Sequence, residues 1–209
     1  MTSAMAFWDR IADSYAAKAV PDEAAYEHKL AVTARYLSPE QEVLEIGCGT
    51  GTTALHHAHR VRHLRAVDGS RKMIEIARGK AKDARVENVD FEVSTVEALD
   101  VPAQSVDVIM AHSILHLLDD WQGTVERLRT MLRPGGVLVS NTACLGDKMW
   151  WFGLIGPIGH ALGLLPLVRV FTRKQFEQAL IDAGFELEVQ WVPDGGKSQA
   201  VFIVARRPE

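Results

Sequence analysis

The stretch VLEIGCGTG (residues 43–51) decides the fold, because an apolar run leads directly into three glycines at alternate positions. The apolar run predicts a short buried strand, and glycines directly after a strand indicate a turn that another group approaches closely. Two kinds of ligand commonly approach such a loop, a dinucleotide and another adenosine-bearing cofactor. The rest of the chain has to distinguish between them.

Strand and helix patterns alternate around this loop. Strands are predicted at residues 42–46, 64–68, 89–93, 106–111, 137–142, 185–192 and 199–206. Helices are predicted at residues 52–59, 70–82, 121–132 and 172–183, after two amphipathic helices in residues 5–37 that are broken near Val20-Pro21-Asp22. This order predicts an α/β fold, a doubly wound, Rossmann-like, mostly parallel seven-stranded sheet with an antiparallel C-terminal hairpin and an N-terminal helical cap.

Length and composition indicate an ordinary globular protein. The 209 residues, 47% of them hydrophobic and 24% charged, suit one domain with a real core, in which residues 1–40 form the cap and residues 143–171 an apolar insertion. A net charge of −4 argues against a general nucleic-acid binder. Cys48 and Cys144 make no disulfide framework, and the first residues do not resemble a secretory signal, so we expect a cytoplasmic protein.

Residues 149–168, MWWFGLIGPIGHALGLLPLV, form twenty residues without a formal charge, which is long enough to span a bilayer. Their glycines and prolines disfavour a continuous buried helix. Patterns that belong to one sheet lie on both sides of the segment, so a spanning helix would separate the two parts of that sheet. We therefore expect no transmembrane segment.

The spacing of the glycine loop favours a cofactor without a pyrophosphate. Gly47, Gly49 and Gly51 follow G-x-G-x-G, and Thr52 stands where the dinucleotide fingerprint needs a third glycine or an alanine, which disfavours a nicotinamide oxidoreductase. Asp68 ends the second predicted strand, where a carboxylate can accept hydrogen bonds from both ribose hydroxyls. With Glu45 as a second negative charge, the loop suits a cationic adenosine cofactor.

Several segments together resemble the class I S-adenosylmethionine-dependent methyltransferases, in particular the small-molecule enzymes of the quinone-biosynthesis type. Beside VLEIGCGTG, the segments are AVDGSRKMIEIAR (66–78), SVDVIMAHSILHLLDD (105–120), LRTMLRPGGVLV (128–139) and FTRKQFEQALIDAGFELE (171–188). The resemblance covers nearly the whole chain. It implies S-adenosylmethionine as the cofactor, S-adenosylhomocysteine as its product, and methyl transfer to a small acceptor by in-line displacement.

The resemblance also implies which residues hold the cofactor. They are Glu45, Gly47, Cys48, Gly49, Gly51, Asp68, Gly69, Ser70, Met73, Thr95, Val96 and Ala111. Among them Glu45 would lie near the cofactor's ammonium group, Asp68 on the ribose hydroxyls and Met73 beside the adenine. Gly69 and Thr95 depart from the family's pattern, since relatives often carry an apolar residue and an aspartate there, so the adenine side of the assignment is the weaker one.

Candidate catalytic residues lie after the fourth strand and in the cap. His112 is predicted at the carboxyl end of that strand and His116 four residues later, and either histidine is a candidate general base. The competing interpretations are that His112 only surrounds the cofactor and that His116 is a helix-cap or packing residue. Tyr15, as a further catalytic candidate, and Tyr26, as a substrate-binding one, are expected to close over the cofactor in a segment that resembles a lid, with core packing as the alternative.

Metal and nucleic-acid functions are not expected. The run HHAHRVRH (56–63) lacks a carboxylate or cysteine that would complete a metal site. Residues 111–112 and 140–141 lack the acidic set of the magnesium-dependent catechol-type methyltransferases. AHSI (111–114) also lacks the Asn/Asp-Pro-Pro-aromatic motif of the DNA adenine methyltransferases.

The apolar insertion is the candidate acceptor site. Trp150, Trp151 and Phe152 are predicted to form the wall of an apolar pocket, and a surface resting on a membrane or a dimer interface are the alternatives. The leading hypothesis is a methyltransferase, monomeric or homodimeric, that acts on a small apolar or amphipathic acceptor. The alternative is a non-catalytic module that binds S-adenosylmethionine or a protein partner.

Overall fold

The computed structural model describes residues 3–209, and its central feature is a seven-stranded sheet with helices on both faces. The strands are β1 (Glu42–Ile46), β2 (His63–Asp68), β3 (Val89–Val93), β4 (Val106–His112), β5 (Leu132–Ala143), β6 (Glu186–Trp191) and β7 (Ala200–Arg206). Their order in the sheet is β3-β2-β1-β4-β5-β7-β6. Strands β1 to β5 are parallel, and β7 pairs antiparallel with both β5 and β6. The predicted doubly wound fold is confirmed.

Two apolar layers cover the two faces of the sheet, because successive residues of a buried strand point to opposite sides. In β1, Val43 packs into the layer beneath the third and fourth helices, and Leu44 packs into the opposite layer. The helices are α1 (Ser3–Ala17), α2 (Glu23–Ala34), α3 (Thr52–His57), α4 (Arg71–Ala84), α5 (Trp121–Met131), α6 (Phe152–Ala161) and α7 (Arg173–Asp182).

Side-chain caps fix where several helices begin. Asp22 accepts a hydrogen bond from the Ala25 N–H at 2.9 Å, which starts α2 directly after the break in the cap. Ser70 caps α4, and Thr172 forms a capping box with Gln175 at α7. Gly184, which has φ +85°, follows the end of α7 as the sequence predicts.

Strand β5 begins five residues earlier than predicted. The sequence Pro134-Gly135-Gly136 was expected to end a helix and precede a strand at residue 137, yet it lies inside β5. The Gly135 N–H donates to the Arg207 carbonyl, and the Arg207 N–H donates to the Gly136 carbonyl. Pairing with the chain beyond β7 therefore extends the strand. Helix α3 is shorter than predicted, because its last turn tightens to a 3₁₀ helix at Ala58–Arg60.

The uncharged segment at residues 149–168 contains α6, a ten-residue helix with Pro157 inside it. Within residues 3–209, no helix is both long and apolar enough to cross a membrane. This segment presents much of its apolar surface to solvent, since Trp150, Leu154, Leu162 and Leu164 are each 67–70% exposed. The segment is therefore a surface feature of the described structure.

Helix α1 lies across the N-terminal end of α4. The Asp9 Oδ1 accepts hydrogen bonds from the Ser70 hydroxyl at 2.6 Å and from the Lys72 N–H at 3.1 Å. These contacts place the cap, and the segment that joins α1 to α2, above the carboxyl ends of the central strands.

Candidate active site

A cavity of about 430 Å³ opens at the carboxyl ends of β1, β4 and β5, beneath the segment that joins α1 to α2. The strand order reverses between β1 and β4, and open α/β sheets bind ligands at such a switch point. The loop after β1 and the first turn of α3 form one side of the cavity. The functional candidates that line it are Tyr15, Tyr26, Lys29, Glu45, Gly47, Cys48, Gly49, Lys80, His112, Ser113 and Asn141.

The three glycines of the loop after β1 serve different purposes. All three have left-handed φ values, between +53° and +74°, which favour glycine. A Cβ atom on Gly47 would lie 2.7 Å from Ile114, and one on Gly51 would lie 2.7 Å from Phe91. A Cβ atom on Gly49 would meet nothing closer than 3.9 Å. Gly51 therefore packs against the protein's own core, and it does not line the cavity as Gly47 and Gly49 do.

Glu45 supplies a buried carboxyl group at the end of β1. The residue is 2% exposed and lines the cavity, and its Oε2 has no hydrogen-bond partner within the described part of the chain. Burial, and then the neighbouring Asp68 carboxylate, raise the pKa of Glu45 to about 8. A buried acceptor atom without a donor, in a cavity wall, fits a cationic group such as an ammonium ion.

Asp68 connects the end of β2 to the glycine loop. Its Oδ2 accepts from the Gly49 N–H at 2.9 Å, and its Oδ1 accepts from the Ser70 N–H at 2.8 Å. Burial raises the pKa of Asp68 although both hydrogen bonds lower it. Each carboxylate oxygen keeps a second lone pair, so the residue can orient the loop and also accept from a ribose hydroxyl.

The predicted adenine-side residues lie apart from the cavity. Met73 and Val96 are buried, and the Thr95 hydroxyl accepts from the Ala98 N–H at 3.3 Å. The Met5 side chain of α1 occupies the space where a Cβ atom on Gly69 would lie, so α1 covers this end of the predicted site. Ala111 is also fully buried, within β4.

The structure brings one of the two candidate histidines to the cavity. His112 lines it, with its ring stacked on Phe202 at 6.3 Å between centroids. Burial, and then the charge of Lys29, lower the pKa of His112 to about 4, so the ring is neutral at pH 7 and able to accept a proton. His116 does not line the cavity, and its Nδ1 accepts from the Ala143 N–H at 3.5 Å. Burial lowers its pKa to about 4 as well, which fits the packing interpretation.

Both predicted lid tyrosines reach the cavity. Tyr15 of α1 and Tyr26 of α2 line it from the cap side. Burial is the main cause that raises the pKa of each phenol, so both remain protonated hydrogen-bond donors at neutral pH.

Sequence reasoning missed Lys29, Lys80 and Asn141 as lining residues. Lys29 lies three residues after Tyr26 and shares its helix face, which was the available signal. The Asn141 Oδ1 is buried without a partner in the described structure. The Asn141 carbonyl accepts at 2.7 Å from the N–H of Ser113, which holds an unusual φ of +57° directly after β4.

The predicted acceptor wall lies outside this cavity. Trp150 is 67% exposed and Trp151 is 43% exposed, and neither they nor Phe152 line the cavity. The physical reason is that the segment 149–168, which contains α6, folds at the surface. Its far end contacts α1, where the Arg10 Nη2 donates to the Gly163 carbonyl at 2.9 Å. Trp150, Trp151 and Phe152 therefore form no part of the wall of this cavity.

Comparison with known proteins agrees with this geometry. Residues 43–136 match a family described as "Methyltransferase domain". The chain is 31% identical over 153 residues to malonyl-[acyl-carrier protein] O-methyltransferase from a Paenibacillus species. This aligned region covers 70% of this chain and 55% of that protein. The chain spans 38–55% of the length of three curated relatives that it matches.

Solved structures share the fold. The YcgJ protein of Bacillus subtilis has a TM-score of 0.73 at 18% identity, covering 88% of this chain and 99% of that one. Geranyl diphosphate C-methyltransferase from Streptomyces coelicolor, solved with S-adenosylhomocysteine, has a TM-score of 0.70 at 17% identity and covers 88% and 79%. At these identities the likeness shows the fold alone.

Proposed function

We propose that the protein is a class I methyltransferase that transfers a methyl group from S-adenosylmethionine to a small acceptor. The match of residues 43–136 to a methyltransferase domain family supports this proposal. The acceptor is apolar or amphipathic and binds in the cavity at the ends of β1, β4 and β5. The observation that carries the proposal is the buried Glu45 Oε2, which lines the cavity beside the glycine loop and lacks a donor among the described residues.

The chain's own residues fit the cofactor at three points. The Glu45 carboxyl group accepts from the ammonium of its methionine part, and Gly49 leaves the backbone open to close approach. Asp68 keeps free lone pairs for the ribose hydroxyls while it holds the loop. Met5 and Asp9 place α1 over the adenine end, so α1 encloses the bound cofactor.

When bound, S-adenosylmethionine supplies a methyl carbon on a positive sulfur. With the cofactor held at Glu45, the glycine loop and Asp68, this methyl carbon would be open to an electron pair of the acceptor, and the electron pair of the broken carbon–sulfur bond would stay on sulfur. Positioning two bound reactants can lower the activation barrier by up to roughly 7–11 kcal/mol. His112, neutral at pH 7, accepts the proton that an acceptor hydroxyl or amine loses, although a pKa of about 4 makes it a weak base.

We further propose that α6 makes a peripheral contact. Its exposed apolar residues, together with Trp150 and Trp151, suit a membrane surface or a second copy of the chain. Contact between two copies would give a homodimer. The two buried free cysteines, Cys48 and Cys144, support a cytoplasmic location. Vesicle co-sedimentation and light scattering distinguish the two contacts.

Titration calorimetry with S-adenosylhomocysteine, followed by methyl transfer from radiolabelled S-adenosylmethionine to a panel of phenols, amines and carboxylic acids, tests the function. We expect binding, and we expect Glu45→Gln to weaken it while the exposed Glu40→Gln leaves it unchanged. No binding of either ligand would refute the proposal. Binding without transfer to any acceptor would favour the non-catalytic alternative.

A further inference from the structure

The cavity has an unbalanced charge. Lys18, Lys29 and Lys80 line it, and Glu45 is the one carboxylic acid among the lining residues that the structure describes. With a pKa of about 8, Glu45 itself holds a proton at neutral pH until a cation approaches. The protein therefore surrounds the cavity with more positive than negative charge.

Among the described residues, Lys29 has neither the solvent exposure of Lys18 nor the side-chain hydrogen bonds of Lys80. It lies partly buried on α2, and no carboxylate of the described chain lies within ion-pair distance of it. Burial lowers the pKa of Lys29 more than the charge of Asp22 raises it. Lys80, by contrast, donates to the hydroxyl oxygens of Thr50 and Thr52 at 2.9 and 3.1 Å. A partly buried ammonium without an anion is costly unless a ligand supplies one.

The cofactor cannot supply all of this compensation. S-adenosylmethionine carries a sulfonium and an ammonium against a single carboxylate, so it adds a net positive charge to the cavity. Lys80 lies beside Thr50 and Thr52 at the glycine loop, on the cofactor side. Lys29 lines the same cavity as His112, at the end of β4, and its charge contributes to lowering the pKa of that histidine. An anionic group on the acceptor would supply the counter-charge that the single carboxylate of the cofactor leaves missing.

We propose that the acceptor carries an anionic group, a carboxylate or a phosphate, and that the Lys29 ammonium binds it. This inference rests on the proposed function and sharpens its acceptor to an amphipathic molecule with an acidic end. Binding of that end to Lys29 places the rest of the acceptor toward His112 and Asn141, where the methyl group arrives.

Calorimetry on the protein saturated with S-adenosylhomocysteine tests this inference with three probes of equal chain length: octanoate, octyl phosphate and octanol. We expect at least one anion to bind about tenfold more tightly than octanol, since a hydrogen bond to a charged group is worth that factor. Lys29→Met should abolish the preference and Lys29→Arg should keep most of it. The exposed Lys174→Met serves as the matched control.

Equal binding of octanol and the anions, or no binding of either anion at millimolar concentration, would overturn the inference. So would a Lys29→Met variant that loses affinity for S-adenosylhomocysteine but not for 5′-methylthioadenosine, because Lys29 would then hold the cofactor's carboxylate. If the wild-type protein does not bind S-adenosylhomocysteine, the proposed function itself is refuted. Failure of the inference about Lys29 and failure of the proposed function are therefore distinguishable.

Discussion

Glu45 makes cofactor binding depend on pH in a defined direction. Its pKa of about 8 means that at pH 7 roughly ten molecules in eleven hold the proton, whereas an ammonium ligand favours the ionised carboxylate. Binding must then release a proton. We expect the affinity for S-adenosylhomocysteine to rise about tenfold per pH unit between pH 6 and pH 7, because each unit lowers the cost of deprotonation by about 1.4 kcal/mol.

Titration calorimetry measures this effect directly. At pH 7 the binding enthalpy should differ between phosphate and Tris buffers by an amount that corresponds to about one released proton for each bound ligand. Glu45→Gln removes both the proton release and the pH slope, and Glu40→Gln keeps them. A wild-type affinity that is constant from pH 6 to pH 7, with the same enthalpy in both buffers, would refute the assignment of Glu45 to the cofactor's ammonium.

The Glu45 carboxyl group also affects the stability of the protein without ligand, because between pH 4.5 and about 8 the folded protein holds a proton that the unfolded chain has lost. The contribution of Glu45 to the free energy of unfolding therefore falls as the pH rises, by up to about 1.4 kcal/mol per pH unit. Urea unfolding of Glu45→Gln should show a flatter pH profile than the wild type. Gly51→Ala should lower the free energy of unfolding in urea by about 1–3 kcal/mol, because Gly51 has a left-handed φ of +74° and a Cβ atom there would meet Phe91. Gly49→Ala should lose less stability, and equal losses in the two variants would contradict the different surroundings of these glycines. His112→Gln should lower kcat by about 10²-fold or more for acceptors that lose a proton, while His116→Gln should keep the wild-type kcat. The reverse pattern in steady-state kinetics would make His116, and not His112, the general base.

The order of the elements could be predicted from local sequence, because buried parallel strands are short apolar runs and the helices begin at recognisable caps. The early start of β5 could not, since it depends on hydrogen bonds between Gly135, Gly136 and Arg207, about seventy residues away. Pairing of this kind leaves no local signal around Pro134.

The candidate site was predictable only in part, because a glycine does not reveal what approaches it. Gly47 and Gly51 make room for Ile114 and Phe91, which lie far along the chain, whereas a Cβ atom on Gly49 would meet nothing closer than 3.9 Å. The position of Lys29 in the cavity could not be predicted from the sequence either, since a lone lysine on an amphipathic helix is ordinarily solvated. Only the folded structure places it in the cavity wall.

A crystal structure with S-adenosylhomocysteine tests the central claim most directly, because the claim is geometric. We predict that the ligand's amino group donates to the Glu45 carboxylate, that its ribose hydroxyls donate to Asp68, and that its sulfur faces His112 at the ends of β4 and β5. A ligand bound with its amino-acid part away from Glu45, or no ligand bound at saturating concentration, would contradict the account.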